Sequence, residues 1–250
     1  MTNKYMYFIA NWKMYGDLKS LNSLNKVIKF SKQHKKKRFK IIYCPPYTLL
    51  DSFSKKIKKT KIELGAQNCH FEMSNGPFTG SISPSMLKKI GSNYVIVGHS
   101  ENRSSGESDD VINKKIRSSI ATNLKVIFCI GETLIQKKRK LTNKTLKKQI
   151  LKGLSKIKNS NKILVAYEPV WSIGTGIIPK IKDLDKNVTF IKNVLKINLK
   201  IKNPKVLYGG SVNPKNVKKL ASIKNIDGFL VGGASQKAKN FIDIVKKTII

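Results

Sequence analysis

The hydrophobic positions of this chain fall into eight short, continuous runs separated by longer polar stretches. The runs do not alternate with polar residues, and they are rich in β-branched and aromatic side chains. Both properties are typical of parallel strands that are buried on two faces. The runs cover Tyr5–Ala10, Ile41–Cys44, Ile62–Leu64, Tyr94–Val97, Val126–Ile130, Ile163–Tyr167, Val206–Tyr208 and Gly228–Val231.

Between these runs, apolar residues recur at three- and four-residue spacing, which predicts amphipathic helices. The short connection Pro46–Lys61 has room for one helix around Leu49–Ile57. The clearest helical faces contain Leu18, Leu21, Leu24, Val27 and Ile28; Leu146, Ile150, Leu154 and Ile157; and Val188, Ile191, Val194 and Leu195. Strands that alternate with helices predict the α/β class, and eight of them in 250 residues predict a closed (β/α)₈ barrel.

We expect this barrel to be a single domain covering residues 1–250, because no linker rich in Pro, Gly or Ser divides the chain. An open, doubly wound sheet is the alternative arrangement. Its first turn commonly carries a GxGxxG phosphate loop, whereas the first turn here is "NWKMYGD".

The charge is extreme, since 50 Lys and Arg residues face 14 Asp and Glu residues, for a net charge of +36. Such a charge raises the question of a polyanionic partner. Arginine supplies the bidentate contacts of specific nucleic-acid recognition, yet it occurs only at Arg38, Arg103, Arg117 and Arg139. We therefore expect no dedicated nucleic-acid or membrane partner, and we attribute the scattered lysines to biased base composition of the gene.

Three cysteines, Cys44, Cys69 and Cys129, lack the CxxC spacing of metal or redox sites. They are expected to be small core residues in a reducing compartment. The N-terminal segment has no long apolar stretch of the kind that signal peptides carry. Both observations predict a cytoplasmic location.

In a (β/α)₈ barrel, functional side chains follow the carboxyl ends of the strands, which meet at one rim. Asn11 and Lys13 follow the first predicted strand, His99 follows the fourth and Glu168 follows the sixth. The seventh and eighth strands are followed by two glycine-rich turns, Gly209–Ser211 and Gly232–Ser235.

These groups suit one kind of chemistry. Glycine-rich turns that lead into helices direct backbone N–H groups at an anion such as phosphate. A carboxylate in a dry site acts as a general base, and an imidazole with an ammonium stabilises negative charge on a carbonyl oxygen. The set predicts proton abstraction next to a carbonyl in a small phosphorylated molecule. Each residue alone has a simpler interpretation, since Glu168 could be paired with a lysine and His99 could cap a helix.

We expect no metal ion. The histidines His34, His70 and His99 are far apart in the sequence, and only His99 follows a predicted strand.

Eight motifs, in order and at matching spacing, resemble the triosephosphate isomerase family. They are "FIANWKMYG", "LGAQN", "FTG", "GHSE", "CIGET", "AYEPVWSIGTG", "YGGSV" and "GFLVGGAS". The resemblance implies a TIM barrel that interconverts dihydroxyacetone phosphate and D-glyceraldehyde 3-phosphate through an enediolate, without a cofactor, in glycolysis and gluconeogenesis.

The resemblance also implies a role for each site residue. It makes Glu168 the base, His99 the electrophile that polarises the carbonyl, and Lys13 a catalytic cation that also holds the substrate with Asn11. The pairing of a carboxylate base with a neutral histidine is a known pattern of this family. The segment "AYEPVWSIGTG" would close over the site as a lid. The phosphate would be held by Gly174, Ser211, Gly232 and Gly233.

The sequence departs from the family at two positions that commonly form an ion pair between subunits. Ser81 stands where an acid is usual, and Asn102 stands where an arginine is usual. Losing both charges together can be nearly neutral. We therefore still expect a homodimer through the loop Cys69–Ser81. A third departure is Ser172 in the lid, where alanine is usual.

Two other functions remain open from the residues alone. The barrel could bind a polyanion without catalysis, or it could be another sugar-phosphate isomerase. The joint presence of Asn11, Lys13, His99 and Glu168 and the lack of a basic stripe interleaved with aromatic residues favour the isomerase over a polyanion-binding barrel. The combination of glutamate and lid counts against other sugar-phosphate isomerases.

Overall fold

The computed structural model describes residues 4–34, 36–158 and 160–249. Its eight parallel strands form a closed barrel in chain order, with the eighth strand paired to the first. This confirms the predicted (β/α)₈ fold, while the ends of the predicted domain 1–250 lie outside the described residues. The strands are β1 (Met6–Asn11), β2 (Phe39–Cys44), β3 (Glu63–Ala66), β4 (Tyr94–Val97), β5 (Lys125–Ile130), β6 (Ile163–Tyr167), β7 (Lys205–Tyr208) and β8 (Gly228–Val231).

Helices surround the barrel. They are α1 (Asn22–Gln33), α2 (Leu50–Ile57), α3 (Pro84–Lys89), α4 (Ser100–Ser104), α5 (Asp109–Ala121), α6 (Leu134–Lys138), α7 (Thr142–Gly153), α8 (Ile181–Leu199), α9 (Val217–Ala221) and α10 (Ala238–Ile249). The helix predicted in the short connection after β2 is confirmed as α2. None of the helices in the described ranges is long and apolar enough to cross a bilayer.

Most of the apolar positions predicted on helix faces are buried, whereas Leu21, Ile28 and Ile157 are only partly buried. The predicted face Leu146–Ile157 also extends past α7, which ends at Gly153. One position is exposed. Leu18 was predicted on the first face, but it is 66% exposed and precedes α1. The reason is local: Asp17 and Ser20 form a capping box that starts a separate 3₁₀ turn, Leu18–Leu21. The tighter turn changes the helical phase, so the buried face begins later.

The strands are buried on both sides, as their continuous apolar runs predicted. One layer of side chains fills the barrel interior and includes Ile9, Ile96 and Leu207, and a larger layer lies between the strands and the helices. Because the interior is filled, a ligand of this barrel binds at a rim and not in a central channel. The cysteines are buried and free, as expected, and two of them, Cys44 and Cys129, lie in the interior layer.

Candidate active site

The carboxyl rim of the barrel contains a cavity of about 230 Å³. All eight site residues predicted from the sequence line this cavity, although they come from five different strand ends and the lid. They are Asn11, Lys13, His99, Glu168, Gly174, Ser211, Gly232 and Gly233. The cavity is also lined by Gly209, Gly210 and Asn213, from the turn after β7.

Lys13 is held in an unusual backbone conformation just after β1. Its φ of 53° lies in the left-handed region, which costs energy for any residue except glycine. Two hydrogen bonds hold it there: its N–H donates to Oδ1 of Asn11 (3.1 Å), and its carbonyl accepts from Nε2 of Gln67 (2.8 Å). Asn11, the last residue of β1, is buried. Asn11 therefore acts on the backbone of Lys13 as well as lining the cavity.

The Lys13 ammonium forms an ion pair with Glu101, with Nζ 2.5 Å from Oε1. Lys13 is about a quarter exposed and Glu101 is more than half exposed. The pair sits at the border of the cavity, and Glu101 fixes the direction of a side chain that would otherwise move freely. Glu101 lies in the motif "GHSE", but its role as the partner of Lys13 was not predicted.

His99 is the N-cap of α4, which begins at Ser100. Its Nδ1 accepts a hydrogen bond from the backbone N–H of Glu101 (3.3 Å). With Nδ1 as an acceptor, the ring proton is on Nε2, which faces Oε1 of Glu168 at 3.5 Å. Both interpretations of the sequence therefore hold: His99 caps a helix, and it directs an N–H donor into the cavity.

Glu168 follows β6 directly and is 2% exposed. Burial raises the pKa of its carboxyl group, an effect that His99, the Cys129 thiol and Lys13 oppose. Its Oε2 is buried without a hydrogen-bond partner, which is rare for a native carboxylate. A buried carboxylate with a raised pKa and a free oxygen that lines a cavity has the properties of a general base.

Asp227 offers a direct contrast within the same chain. It too is buried, but it pairs with Lys192 (2.7 Å) and Lys4 (3.0 Å) and accepts from the N–H of Val206 (2.9 Å). The ion pair with lysine that could have explained Glu168 is therefore found instead at Asp227, a buried acid directly before β8.

Two glycines make room for Glu168 at the strand end. A Cβ at Gly131 would lie 1.8 Å from the carbonyl oxygen of Glu168, and a Cβ at Gly209 would lie 2.6 Å from its Cγ. Either contact is too short for a side chain. Gly131 belongs to "CIGET" and Gly209 to "YGGSV", so both motifs act on the position of the carboxylate.

Cys129 was expected to be only a core residue. It is buried in the barrel interior, where its thiol interacts with the Glu168 carboxylate and opposes the rise in the pKa of that group. Burial, with the charge of Glu168 adding to it, raises the pKa of Cys129 well above its ordinary value. The thiol is therefore protonated at neutral pH and supports Glu168 from the interior.

The segment 169–177 lies over the cavity. It begins at Pro169, forms a 3₁₀ turn at Val170–Ser172 and contains Gly174 and Gly176, whose φ values of 71° and 77° favour glycine. The N–H of Gly176 donates to Oγ of Ser211 (3.0 Å), which itself donates to the carbonyl of Ser172 (2.7 Å). Ser211 thus connects the lid to the turn after β7.

The other side of the lid is held by Trp171. Its Nε1 donates to Oε1 of Glu132 (2.9 Å), and the ammonium of Lys137 lies 3.4 Å from the centre of its ring. The Tyr167 hydroxyl also donates to Glu132 (3.1 Å). Glu132 belongs to the motif "CIGET". Its contact with Trp171 could not be predicted from the sequence, because Glu132 and Trp171 are 39 positions apart.

The glycine-rich turns differ from the prediction in one respect. Gly233–Ser235 after β8 is a short 3₁₀ helix, as expected of a turn that leads into a helix. The turn after β7 does not lead directly into one, because α9 begins only at Val217. Asn213 and Asn216 exchange hydrogen bonds in the intervening segment and satisfy its backbone locally.

Within the described ranges, no group of three or more His, Cys, Asp or Glu side chains is placed to hold a metal ion.

Fold and cavity together define the class of the protein: a (β/α)₈ barrel whose carboxyl rim is built for proton transfer on a small anion. Comparisons with known proteins agree. Residues 6–248 match the family model described as "Triosephosphate isomerase". The chain is similar to triosephosphate isomerase of Thermodesulfovibrio yellowstonii, with 41% identity over 96% of this chain and 98% of the relative. The corresponding enzyme of Dictyoglomus thermophilum is 42% identical over 95% and 97%.

A solved structure gives the same result. The crystal structure of triosephosphate isomerase from Bartonella henselae aligns with a TM-score of 0.89 and 34% identity, covering 97% of this chain and 98% of the other. The chain belongs to the triosephosphate isomerase family. It is an intramolecular aldose–ketose isomerase of glycolysis that interconverts dihydroxyacetone phosphate and D-glyceraldehyde 3-phosphate, as predicted.

Proposed function

We propose that Glu168, His99 and Lys13 are the catalytic residues of this isomerase, with Glu168 as the base. The observation that carries the proposal is the state of Glu168: buried, with one partnerless oxygen, beside the Nε2–H of His99. By contrast, Asp227, the buried acid directly before β8, is paired with lysines.

The proposed reaction moves one proton at a time. The Glu168 carboxylate takes a proton from the carbon next to the substrate carbonyl, and the electron pair of the C–H bond moves to form an enediolate. The Nε2–H of His99 donates to the oxygen on which negative charge develops, and the Lys13 ammonium stabilises the same charge. His99 then gives its Nε2 proton to the former carbonyl oxygen and takes the proton of the neighbouring hydroxyl, so that the new carbonyl can form. The protonated Glu168 returns a proton to the neighbouring carbon, which completes the isomerisation and restores the base.

The glycine-rich turns are proposed to bind the phosphate group of the substrate. Gly232, Gly233 and Ser211 line the cavity from the turns after β8 and β7, and Gly174 lines it from the segment 169–177. We assign the phosphate to these residues, with Asn11 and Lys13 orienting the carbonyl end of the substrate. A lid that excludes water strengthens the field of Lys13 and limits loss of phosphate from the enediolate.

Turnover in D₂O tests the proton shuttle. We expect deuterium to appear on carbon in the product and in recovered substrate, because a proton held by Glu168 exchanges with solvent over many reversible cycles. The measurement is mass spectrometry of both triose phosphates after repeated turnover. Label that stays absent while isomerisation proceeds would show hydride transfer instead. Glu168→Gln serves as the control, since it should abolish the labelling.

We further propose a homodimer, formed through the loop Cys69–Ser81. The support is a group of exposed apolar side chains in this loop and near it. Phe78 and Met86 line one groove beside the loop and are 39% and 44% exposed, and Met73 in the loop is 44% exposed. Met14 at the carboxyl rim is 94% exposed. Burying such residues against a second copy is favourable.

Phe78→Glu tests this dimer. We expect sedimentation velocity to show a dimer for the parent chain and a shift to monomer for the variant, because a carboxylate at the loop would be desolvated in the interface. Ile197→Glu is the matched control, since Ile197 is 67% exposed on α8, outside the loop. A parent chain that sediments as a stable, fully active monomer refutes the dimer.

We also propose that the chain forms one domain over residues 1–250 and that it acts in the cytoplasm, where its triose phosphate substrates are used in glycolysis.

A further inference from the structure

The hydroxyl of Ser172 is fully buried at the base of the lid. It lies 2.6 Å from the carbonyl oxygen of Ile177 and 3.0 Å from the hydroxyl oxygen of Tyr208. The first contact joins the two ends of the lid segment, and the second joins the lid to the end of β7. The roles proposed above for the site residues do not use this hydroxyl.

The direction of both hydrogen bonds follows from the groups involved. A carbonyl oxygen can only accept, so Ser172 donates its single proton to Ile177. Tyr208 must then be the donor to Ser172 Oγ. Burial raises the pKa of Tyr208 to about 12, so the phenol keeps the required proton at neutral pH. The result is a relay from Tyr208 through Ser172 to Ile177.

The relay has no substitute among the described residues. Ser172 is the hydrogen-bond partner that the structure gives to the Tyr208 hydroxyl, and it is the donor that the structure gives to the Ile177 carbonyl. Alanine at position 172 would leave both groups without these partners. Hydrogen bonds in such chains polarise and strengthen one another, so a central member affects more than one contact.

The relay also lies next to the turn Gly209–Ser211 after β7, which includes one of the residues assigned above to phosphate binding. A Cβ at Gly210 would lie 2.2 Å from the Tyr208 hydroxyl and 2.7 Å from Ser172 Oγ. The turn that lines the cavity is therefore shaped around this pair of hydroxyls. A second link runs in parallel, because Ser211 donates to the carbonyl of the same Ser172.

From these contacts we infer that Ser172 is a positioning residue that latches the lid in its closed position through Tyr208 and Ile177. The inference rests on the proposed lid function of the segment 169–177. Ser172 does not touch reacting atoms in this scheme. It holds the lid over Glu168 for the lifetime of the enediolate, so it acts on retention of bound anion and intermediate more than on proton transfer.

The test compares Ser172→Ala, Tyr208→Phe and the double variant. Two readouts report on the closed lid: the affinity for 2-phosphoglycolate, a phosphorylated anion that resembles the enediolate, and the inorganic phosphate released per isomerisation. Losing the relay should weaken the inhibitor about fivefold to tenfold in each single variant. Phosphate release should rise by a similar factor, about fivefold. The double variant should be no worse than either single variant, since all three break one relay.

Ser222→Ala is the matched control. The Ser222 hydroxyl also donates to a backbone carbonyl, that of Lys219 at 2.8 Å, but it lies at the end of α9, outside the lid and the cavity lining. It should keep the parent's inhibitor affinity and phosphate release. Far-ultraviolet circular dichroism checks each fold, and Tyr208→Phe provides the same test from the barrel side if Ser172→Ala does not fold.

Parent-like inhibitor affinity and phosphate release in Ser172→Ala overturn the latch, as do effects of the single variants that add in the double variant. Failure of the proposed function itself looks different. In that case the parent chain does not hold an enediolate in its cavity, and Glu168→Gln isomerises triose phosphates as fast as the parent does.

Discussion

Replacing Glu168 by glutamine is expected to lower kcat by about 100- to 10,000-fold, with little change in KM. Glutamine keeps the shape of the side chain and its fit between Gly131 and Gly209, but it cannot accept the substrate proton. Because the base acts only in the transition state, kcat and kcat/KM should fall together. A coupled assay of glyceraldehyde 3-phosphate conversion measures both constants.

Glu63→Gln provides the matched control for this variant. Glu63 is a half-buried carboxylate at the start of β3, at the opposite rim, where it pairs with Lys40 (2.9 Å) and accepts from Asn93 (2.7 Å). Its loss should reduce the free energy of unfolding but leave kcat unchanged. If Glu63→Gln and Glu168→Gln lose activity equally, the loss reflects the fold, and the assignment of the base fails.

Shortening the same side chain gives a finer test. Glu168→Asp keeps a carboxylate but withdraws it by about 1 Å, and misplacement of that size costs about 100-fold in rate. Full activity in Glu168→Asp would remove Glu168 from the role of base.

The pH dependence of the parent follows from the direction of the pKa shift. Burial raises the pKa of Glu168 above its ordinary value, and the base must be ionised to act. Activity is therefore present above this raised pKa and is lost as the pH falls through it. The acid limb of kcat should lie at a higher pH than an exposed glutamate would give.

Replacing Lys13 by methionine is expected to lower kcat by about 100- to 1000-fold, the range found when one stabilising donor is removed from a charge-developing centre. KM should rise as well, because Lys13 also attracts the phosphorylated substrate. Methionine preserves much of the unbranched stem and removes the charge. The variant also leaves Glu101 without its cation.

Replacing Lys13 by methionine is also expected to change the pH dependence of kcat. Lys13 is one of the groups that lower the pKa of Glu168, so its removal should move the acid limb of kcat to higher pH. Loss of general packing would lower the rate without moving the limb. A limb that stays in place would show that Lys13 and Glu168 are not coupled in the active enzyme.

Lys40→Met is the control, because Lys40 closely matches Lys13 in its surroundings. Its side chain is 23% exposed against 26% for Lys13, and each lysine pairs with one glutamate. Lys40 lies near the start of β2, away from the cavity lining. Lys40→Met should keep the kcat and the acid limb of the parent.

The sequence could predict the barrel because the burial pattern of each strand can be read from a few consecutive residues. A continuous apolar run such as Ile163–Tyr167 would expose hydrophobic side chains to water if one face of the strand lay at the surface. Such a run therefore predicted a strand that is covered on both faces. The failure at Leu18 was also local: its spacing fitted a helix, but the capping box of Asp17 started a separate turn. The spacing of hydrophobic residues does not reveal a capping hydrogen bond that competes with the helix.

For the site, the sequence supplied the residue types and the rim on which they meet. It could not supply partners that are distant in the chain. The Cys129 thiol on Glu168, the bond from Trp171 to Glu132 and the relay from Tyr208 through Ser172 each join residues that no periodicity relates. The sequence marked Ser172 only as a departure from the usual residue, whereas the structure gives its hydroxyl two partners.

By itself, the sequence predicted the number and order of the strands, the family and eight of the residues that line the cavity, because strand burial and motif spacing can be read along the chain. Only the tertiary structure decided how those residues are set. It left Oε2 of Glu168 without a partner while Asp227 received lysines, and it brought Nε2 of His99 next to Glu168. It also joined the segment 169–177 to the end of β7 through the hydroxyls of Ser172 and Ser211. Burial, hydrogen-bond direction and the resulting pKa shifts depend on groups brought together from many strands, and closure of the barrel is what brings them together.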